Sequence, residues 1–386
     1  MSKQVKLMIF SDWFVPGYKA GGPIRSITNF CLSMTNYLDI YVFTSDRDLG
    51  DNEAYKGIVP NTWINWREEV KVLYASPDWM TLENIKKEVN EISPDFLYLN
   101  SMFSIKYTIL PLWLFFRKTF SSQLVWAPRG MLQKGAIQYK RIRKLIFISL
   151  LKLVGLPDRI IFHATNVDEE KDVIQYMGRE VRRVVIPNLT LLPPEKKRIL
   201  YQKGDKLKLG SIARISPVKN LLFLLEAFKH VHVEVSLDLW GPIEDDKYWK
   251  KCQKVIPDLP ENIEVNYQGK IVPEEVGDKL SDIHVFVLPT FGENFGHSIF
   301  EALSMGVPVL ISDRTPTWRE LVGKKAGWDL PFEQERWANQ IEEIANMDME
   351  EYLIWTKGAR RLAEKIADKK IHLEAYKSLF SKNESG

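Results

Sequence analysis

The stretch Val285–Asp313, VFVLPTFGENFGHSIFEALSMGVPVLISD, decides the fold. Val285, Phe286, Val287 and Leu288 form a short apolar run ended by Pro289, the pattern of a buried strand. Thr290–Gly296 then turns the chain with two glycines, which let backbone approach a ligand closely. Ser298–Met305 reads as a helix stopped by Gly306, and Val307–Ile311 as a second apolar strand. Strand, turn, helix and strand at this spacing make a right-handed parallel βαβ unit. Ligands of such sheets sit beyond the carboxyl ends of the strands, where Glu293 falls. The next helix aims unpaired N–H groups and the positive end of its dipole at the same place. An anion site beside a carboxylate is the expectation.

Working outward, 386 residues at 45% hydrophobic content suffice for two cores of ordinary domain size. Two cysteines, Cys31 and Cys252, argue against a disulfide scaffold and suit a reducing cytosol. Met1–Lys6 leads into a strand without a signal-peptide pattern. The longest apolar runs, Ile109–Phe116 and Leu145–Leu151, fall well short of the ~20 residues that span a bilayer. The expected location is cytoplasmic, with peripheral attachment to the inner membrane face as a further option.

Glu293 and Glu301 are separated by seven residues, one before the helix and one inside it. Spacing alone also fits two ordinary solvated or capping glutamates. The wider pattern, Pro289-Thr290-x-x-Glu293-Asn294-Phe295-Gly296-His297-x-x-x-Glu301-Ala302-Leu303-x-x-Gly306-Val307-Pro308-Val309, resembles the signature of the retaining glycosyltransferases of family four, which have the GT-B fold. The resemblance implies that Glu293 contacts donor-sugar hydroxyls and that the backbone of Asn294, Phe295 and Gly296 meets sugar and diphosphate. It implies that Glu301 accepts hydrogen bonds from the ribose. Ionised acceptors suit neutral sugar hydroxyls.

At the amino end, Lys6–Phe10 is a strand that runs into Gly21-Gly22-Pro23 and a helix of period near 3.6 from Ile24 to Leu38. Gly21 and Gly22 let backbone approach phosphate or sugar, although many turns contain paired glycines. They resemble the glycine-rich first loop of GT-B transferases, where donor diphosphate and acceptor meet. Strands also fit Ile40–Thr44, Val70–Tyr74, Phe96–Leu99, Leu124–Ala127, Ile160–Ala164 and Val184–Ile186, so a doubly wound domain over 1–190 is expected. Asp46-Arg47-Asp48 has the spacing of a shared divalent site. A polar loop closing the preceding strand explains it more simply, and no metal or other cofactor is expected.

Trp126–Leu132 follows a strand, and many relatives carry a histidine where Arg129 stands. This version resembles a bacterial subgroup that assembles exopolysaccharides and surface glycans. Arg129 favours an acceptor bearing negative charge, or pairs with a nearby carboxylate. His163, at the end of a strand, reads as packing or turn chemistry.

Lys134–Lys152 holds six basic residues (Lys134, Lys140, Arg141, Arg143, Lys144 and Lys152) and no acidic one. Six exceeds the whole chain's net charge of +3, so the remainder is net negative. Contact with anionic lipid and a solvated helix on its own domain both fit, whereas no motif supports nucleic acid.

Residues 191–206, rich in Pro and Lys, read as a linker. A second domain over 207–365 opens with the strand Leu207–Ala213, then Arg214, Lys219 and the helix Leu221–Val231. Two cations at a strand end near a helix start suggest a diphosphate clamp, and the resemblance assigns donor phosphates to Arg214 and Lys219. Strands at Val233–Leu239 and Ile263–Tyr267 follow. Met349–Phe380 is expected to be helical with a break near Gly358, and 366–386 to cross back to the first domain.

The expected fold is therefore α/β, two Rossmann-like doubly wound domains facing across a cleft. The expected partners are a nucleotide-diphosphate sugar and a saccharide or lipid-linked acceptor, with the anomeric configuration retained. Glu293, Arg214 and Lys219 would carry catalysis. Two alternatives remain, a glycoside hydrolase using Glu293 and Glu301 and a non-catalytic subunit that binds sugar nucleotides or tethers to membrane.

Overall fold

The computed structural model describes residues 4–381 apart from Glu68, Tyr139 and Lys369. The chain divides into two compact α/β units. One takes the chain up to Thr190 together with the segment after Asp368, and the other runs from Leu191 to Asp368.

In the first unit, β1 (Val5–Phe10), β2 (Leu38–Ser45), β3 (Trp63–Trp66), β4 (Val70–Ala75), β5 (Phe96–Leu99), β6 (Gln123–Trp126), β7 (Ile161–Ala164) and β8 (Arg182–Val185) form one sheet. Their order is β3-β4-β2-β1-β5-β6-β7-β8, parallel except for the antiparallel β3–β4 pair. β3 is the strand that the apolar pattern misses. It is a four-residue edge with half-exposed side chains, so neither face carries a burial signal. β1 shows why the other strands read as unbroken apolar runs. Leu7 and Ile9 enter one core with Phe30 and Tyr98, while Met8 and Phe10 enter the other with Leu97 and Trp126. A parallel sheet covered on both faces needs apolar residues at every position.

The C-terminal helix Lys370–Leu379 belongs to this unit. Tyr376 meets Phe30 edge-on at 5.2 Å, and Phe380 meets Phe96 at 5.5 Å.

The second unit holds β9 (Leu207–Ile212), β10 (Val235–Trp240), β11 (Ile263–Gly269), β12 (Val285–Leu288), β13 (Val309–Ser312) and β14 (Gly327–Leu330), all parallel in the order β11-β10-β9-β12-β13-β14. Along β12, Val285 and Val287 face one core while Phe286 and Leu288 face the other.

Two expectations differ from what is found. Residues 191–206 carry little regular structure, yet they pack on the second unit. Tyr201 is buried and donates to the Ala345 carbonyl at 2.8 Å, and Ile199 N–H donates to the Ser281 carbonyl at 3.0 Å. The late helix does not break at Gly358; it runs unbroken as Met349–Ala367. A Cβ at residue 358 would stand 2.0 Å from the Lys325 carbonyl oxygen. The glycine serves close packing against that loop, and the helix stops at Asp368 instead.

Candidate functional site

In the second sheet the chain winds one way from β9 to β10 and the other way from β9 to β12. The crevice for a ligand at such a reversal lies beyond the carboxyl ends of β9 and β12. The loop after β9 carries Arg214 and Lys219, and the loop after β12 carries Glu293 to Gly296. The structure stitches these loops together. Phe291 N–H donates to the Val218 carbonyl at 2.8 Å, and Thr290 Oγ1 donates to the same oxygen at 3.2 Å. Asn220, at φ +56°, turns the β9 loop into the helix Leu221–Phe228.

Those ties bring Lys219 Nζ onto Glu293 Oε1 as an ion pair, with side chains 18% and 14% exposed. A cation and a carboxylate thus stand together where the sequence placed a phosphate site and a sugar site. Arg214 takes a different neighbour, pairing with Glu244 at 2.7 Å on a more exposed part of the edge. Glu301 lies half-buried inside the helix His297–Ser304.

The turn before that helix is held from behind. Gly296 caps it at φ +77°, and an added Cβ there would lie 2.9 Å from Ile299 Cδ1 and 3.1 Å from Trp318 Nε1. Trp318 Nε1 donates to the Phe295 carbonyl, Thr317 Oγ1 to the Asn294 carbonyl at 3.4 Å. The Phe295 ring is buried 5.5 Å from Trp318. Trp318 had no assigned role in the sequence, because nothing local ties it to a turn more than twenty residues earlier.

In the first sheet the reversal falls between β1 and β5. Gly21, at φ +65°, caps the helix Gly22–Met34 beyond β1. Asp48 holds the approach to these glycines, its Oδ2 accepting Tyr18 N–H at 2.8 Å and Lys19 N–H at 3.1 Å. Its Oδ1 accepts Leu49 N–H, and each oxygen of Asp46 accepts one hydrogen bond from the Arg47 guanidinium. Both aspartates are buried and committed. Among the described residues no group of three or more His, Cys, Asp or Glu side chains gathers to hold a metal. Asp12, just past β1, accepts Ser104 Oγ at 2.6 Å, and burial pushes its carboxyl above the usual range.

Arg129, at φ +55° beyond β6, is fixed by three neutral oxygens. Nε donates to Asn100 Oδ1 at 2.7 Å, Nη1 to Asn188 Oδ1 at 2.5 Å, and Nη2 to Tyr98 Oη at 2.7 Å. Among the described residues no carboxylate pairs with it. Glu169 on the same edge spends its oxygens on Gly130 N–H, Thr165 N–H and Thr165 Oγ1.

Behind Arg129 the hydrogen bonds run in one direction. His163 Nε2 lies 2.8 Å from the Ile186 carbonyl and must donate to it, so Nδ1 accepts the Tyr98 hydroxyl at 2.7 Å. Burial, with the Arg129 charge second, pushes the His163 pKa down to about 3. His163 is thus a neutral packing element.

Two Rossmann-like doubly wound units, the second with a cation–carboxylate pair at its switch point, define the class of GT-B transferase folds. Residues 194–362 match the family model described as "Glycosyl transferases group 1". That match covers most of the second unit. HepE from Anabaena, solved with UDP and glucose, superposes with a TM-score of 0.72 at 17% identity, over 97% of this chain and 99% of that one. WaaG, described as a glycosyltransferase involved in lipopolysaccharide biosynthesis, does so at 0.66 and 14% identity, over 98% of this chain and 100% of that one. At such identities the likeness shows the fold. O-antigen chain mannosyltransferase B of Escherichia coli is 30% identical over 138 residues, 34% of this chain and 34% of that protein. The chain thus spans about a third of the length of that curated relative.

Proposed function

We propose that this chain is a retaining glycosyltransferase of family four. It moves a sugar from a nucleotide-diphosphate donor to a glycan or lipid-linked saccharide in surface-polysaccharide synthesis, without a metal. The observation that carries the reading is the Lys219–Glu293 pair at the carboxyl edge between β9 and β12. In a nucleotide sugar, the bond that breaks joins the hydroxyl-bearing ring to the diphosphate. A carboxylate for the ring and a cation for the phosphate must therefore stand side by side. As the bond breaks, charge grows on the leaving phosphate. Lys219 and the N-terminus of the helix His297–Ser304 stand at that edge to meet it, and Arg214 would join them by leaving Glu244. The hydrolase alternative leaves Lys219 without a task. The mannosyltransferase likeness, carrying the words "O-antigen chain", supports a surface-glycan acceptor.

A peripheral membrane site belongs to the same proposal. No described helix is long and apolar enough to cross a membrane. The helix Arg141–Leu153, however, exposes Ile142, Ile146, Leu150 and Leu153, residues spaced to form one ridge. Arg141, Arg143 and Lys152 are exposed on the same helix. Lys144 turns inward, donating to the Ala136 carbonyl at 2.7 Å and lying 4.8 Å over the Phe103 ring.

The test of the function uses the two glutamates against a panel of nucleotide sugars. Glu293→Gln should cut turnover far more than it weakens the free nucleotide, because its partner is the sugar. Glu301→Gln should weaken the nucleotide itself, because its partner is the ribose. Equal effects on nucleotide affinity would remove this division of roles, and absence of turnover with any donor would remove the activity.

A further inference from the structure

Asn100 is the first residue past β5, at the switch point of the first sheet. Its Oδ1 accepts from Arg129 Nε, and a guanidinium can only donate, so the orientation of the amide is settled. The other end, Nδ2, is then a donor. Asn100 is only 3% exposed, and Nδ2 meets no acceptor among the described residues. Buried amide donors are nearly always satisfied, and one left unmet at a sheet's carboxyl edge invites a ligand.

Arg129 supplies the complement. Three of its five N–H groups are spent on neutral oxygens, which leaves two donors and a whole positive charge. A purely structural arginine at this depth would be balanced most simply by a carboxylate. Glu169, a carboxylate of the same edge, is turned to Gly130 and Thr165 instead. The Tyr98–His163–Ile186 chain of hydrogen bonds locks the guanidinium in place, so its remaining donors have a fixed direction.

We propose that Asn100 Nδ2 and the free edge of the Arg129 guanidinium form a site for an anionic oxygen, a phosphate monoester or carboxylate carried by the acceptor saccharide. This rests on the transferase reading for the word acceptor, while the site itself does not. Two donors carried by one hydrogen-bonded pair of side chains, one of them charged, suit a tetrahedral or planar oxyanion and give a neutral hydroxyl little advantage.

The test is a binding measurement with no donor present, so a failure to find sugar transfer leaves it untouched. Calorimetry would be run in a Lys219→Ala background, to remove a phosphate contact of the second unit. The probes are glucose 6-phosphate, glucuronate and glucose. One or both anions should bind at least about tenfold more tightly than glucose, as a charge-assisted hydrogen bond implies. Which anion wins assigns phosphate or carboxylate. Asn100→Asp should bring both down to glucose while melting no lower than its parent, because the new carboxylate pairs with Arg129 and fills the site with charge of the wrong sign. Asn100→Ser, which keeps an acceptor for Nε and removes the spare amide, should lose affinity in the same direction. Anions bound no more tightly than glucose, or bound equally by parent and both variants, would overturn the site and leave a structural arginine.

Discussion

Lys219 and Glu293 are shielded enough from solvent that their charges act at short range with little screening by salt. Removing one therefore does more than remove a contact. Lys219→Ala should cost on the order of 10²-fold or more in kcat, the scale of a lost oxyanion donor. The proposed metal-free reaction predicts that activity persists in excess EDTA. Abolition by EDTA with rescue by Mg²⁺ or Mn²⁺ would overturn this and turn attention to Asp46 and Asp48, although their oxygens are already engaged. A second residue reports on pH. With the folded pKa of His163 near 3 and an unfolded value of about 6.5, the unfolded chain binds the extra proton between them. The first unit should lose stability as pH falls through that window. His163→Gln keeps one donor and one acceptor but cannot titrate. Denaturant midpoints of parent and variant should therefore draw together from pH 7 to pH 4, and a constant gap would refute the assignment.

Among the elements, the helix Arg141–Leu153 carries a claim that magnitudes can sort. Burying an aliphatic side chain contributes ~1.5–3 kcal/mol, while a basic residue near an anionic surface contributes ~1 kcal/mol. The ridge should therefore dominate over the charges. Replacing Ile146 and Leu150 with Ser should reduce sedimentation with both neutral and anionic vesicles. Arg141→Gln with Arg143→Gln should reduce it with anionic vesicles alone. Turnover of a soluble acceptor should be unchanged in both, and unaltered vesicle binding would return this helix to plain solvent exposure.

For the whole molecule, the chain order matters because the last helix completes the first unit. Tyr376, Leu379 and Phe380 sit in one core with Phe30, Phe96 and Tyr98, and Tyr376 meets His163 edge-on at 5.3 Å. Ending the chain at Asp368 would open that core and loosen the network that fixes Arg129. Each large apolar side chain lost is worth about 2–5 kcal/mol, so the truncated first unit should unfold well before the second. Hydrogen exchange resolved by segment would show faster opening in β1 and β5 and none added in β9 and β12. Equal loss in both units would refute the assignment of this helix.

Strands such as β1 and β12 were legible in the sequence because a sheet buried on both faces needs unbroken apolar runs, and that need is local. The same holds for Glu293 after β12 and Lys219 after β9, since a residue's place at a strand end depends only on the run before it. β3 was not legible, because an exposed four-residue edge leaves no burial pattern. Nor were the partners, because side-chain contacts are set by sheet order, and neighbours in a crossover sheet are distant in the chain. Lys219 on Glu293, Trp318 behind Phe295 and Asn100 with Arg129 all join loops that only strand pairing brings together. The sequence by itself determined which chemical groups stand at the carboxyl edges. Tertiary structure alone decided that Arg129 meets three neutral oxygens while Asp46 and Asp48 are spent, because only packing decides which oxygen meets which donor.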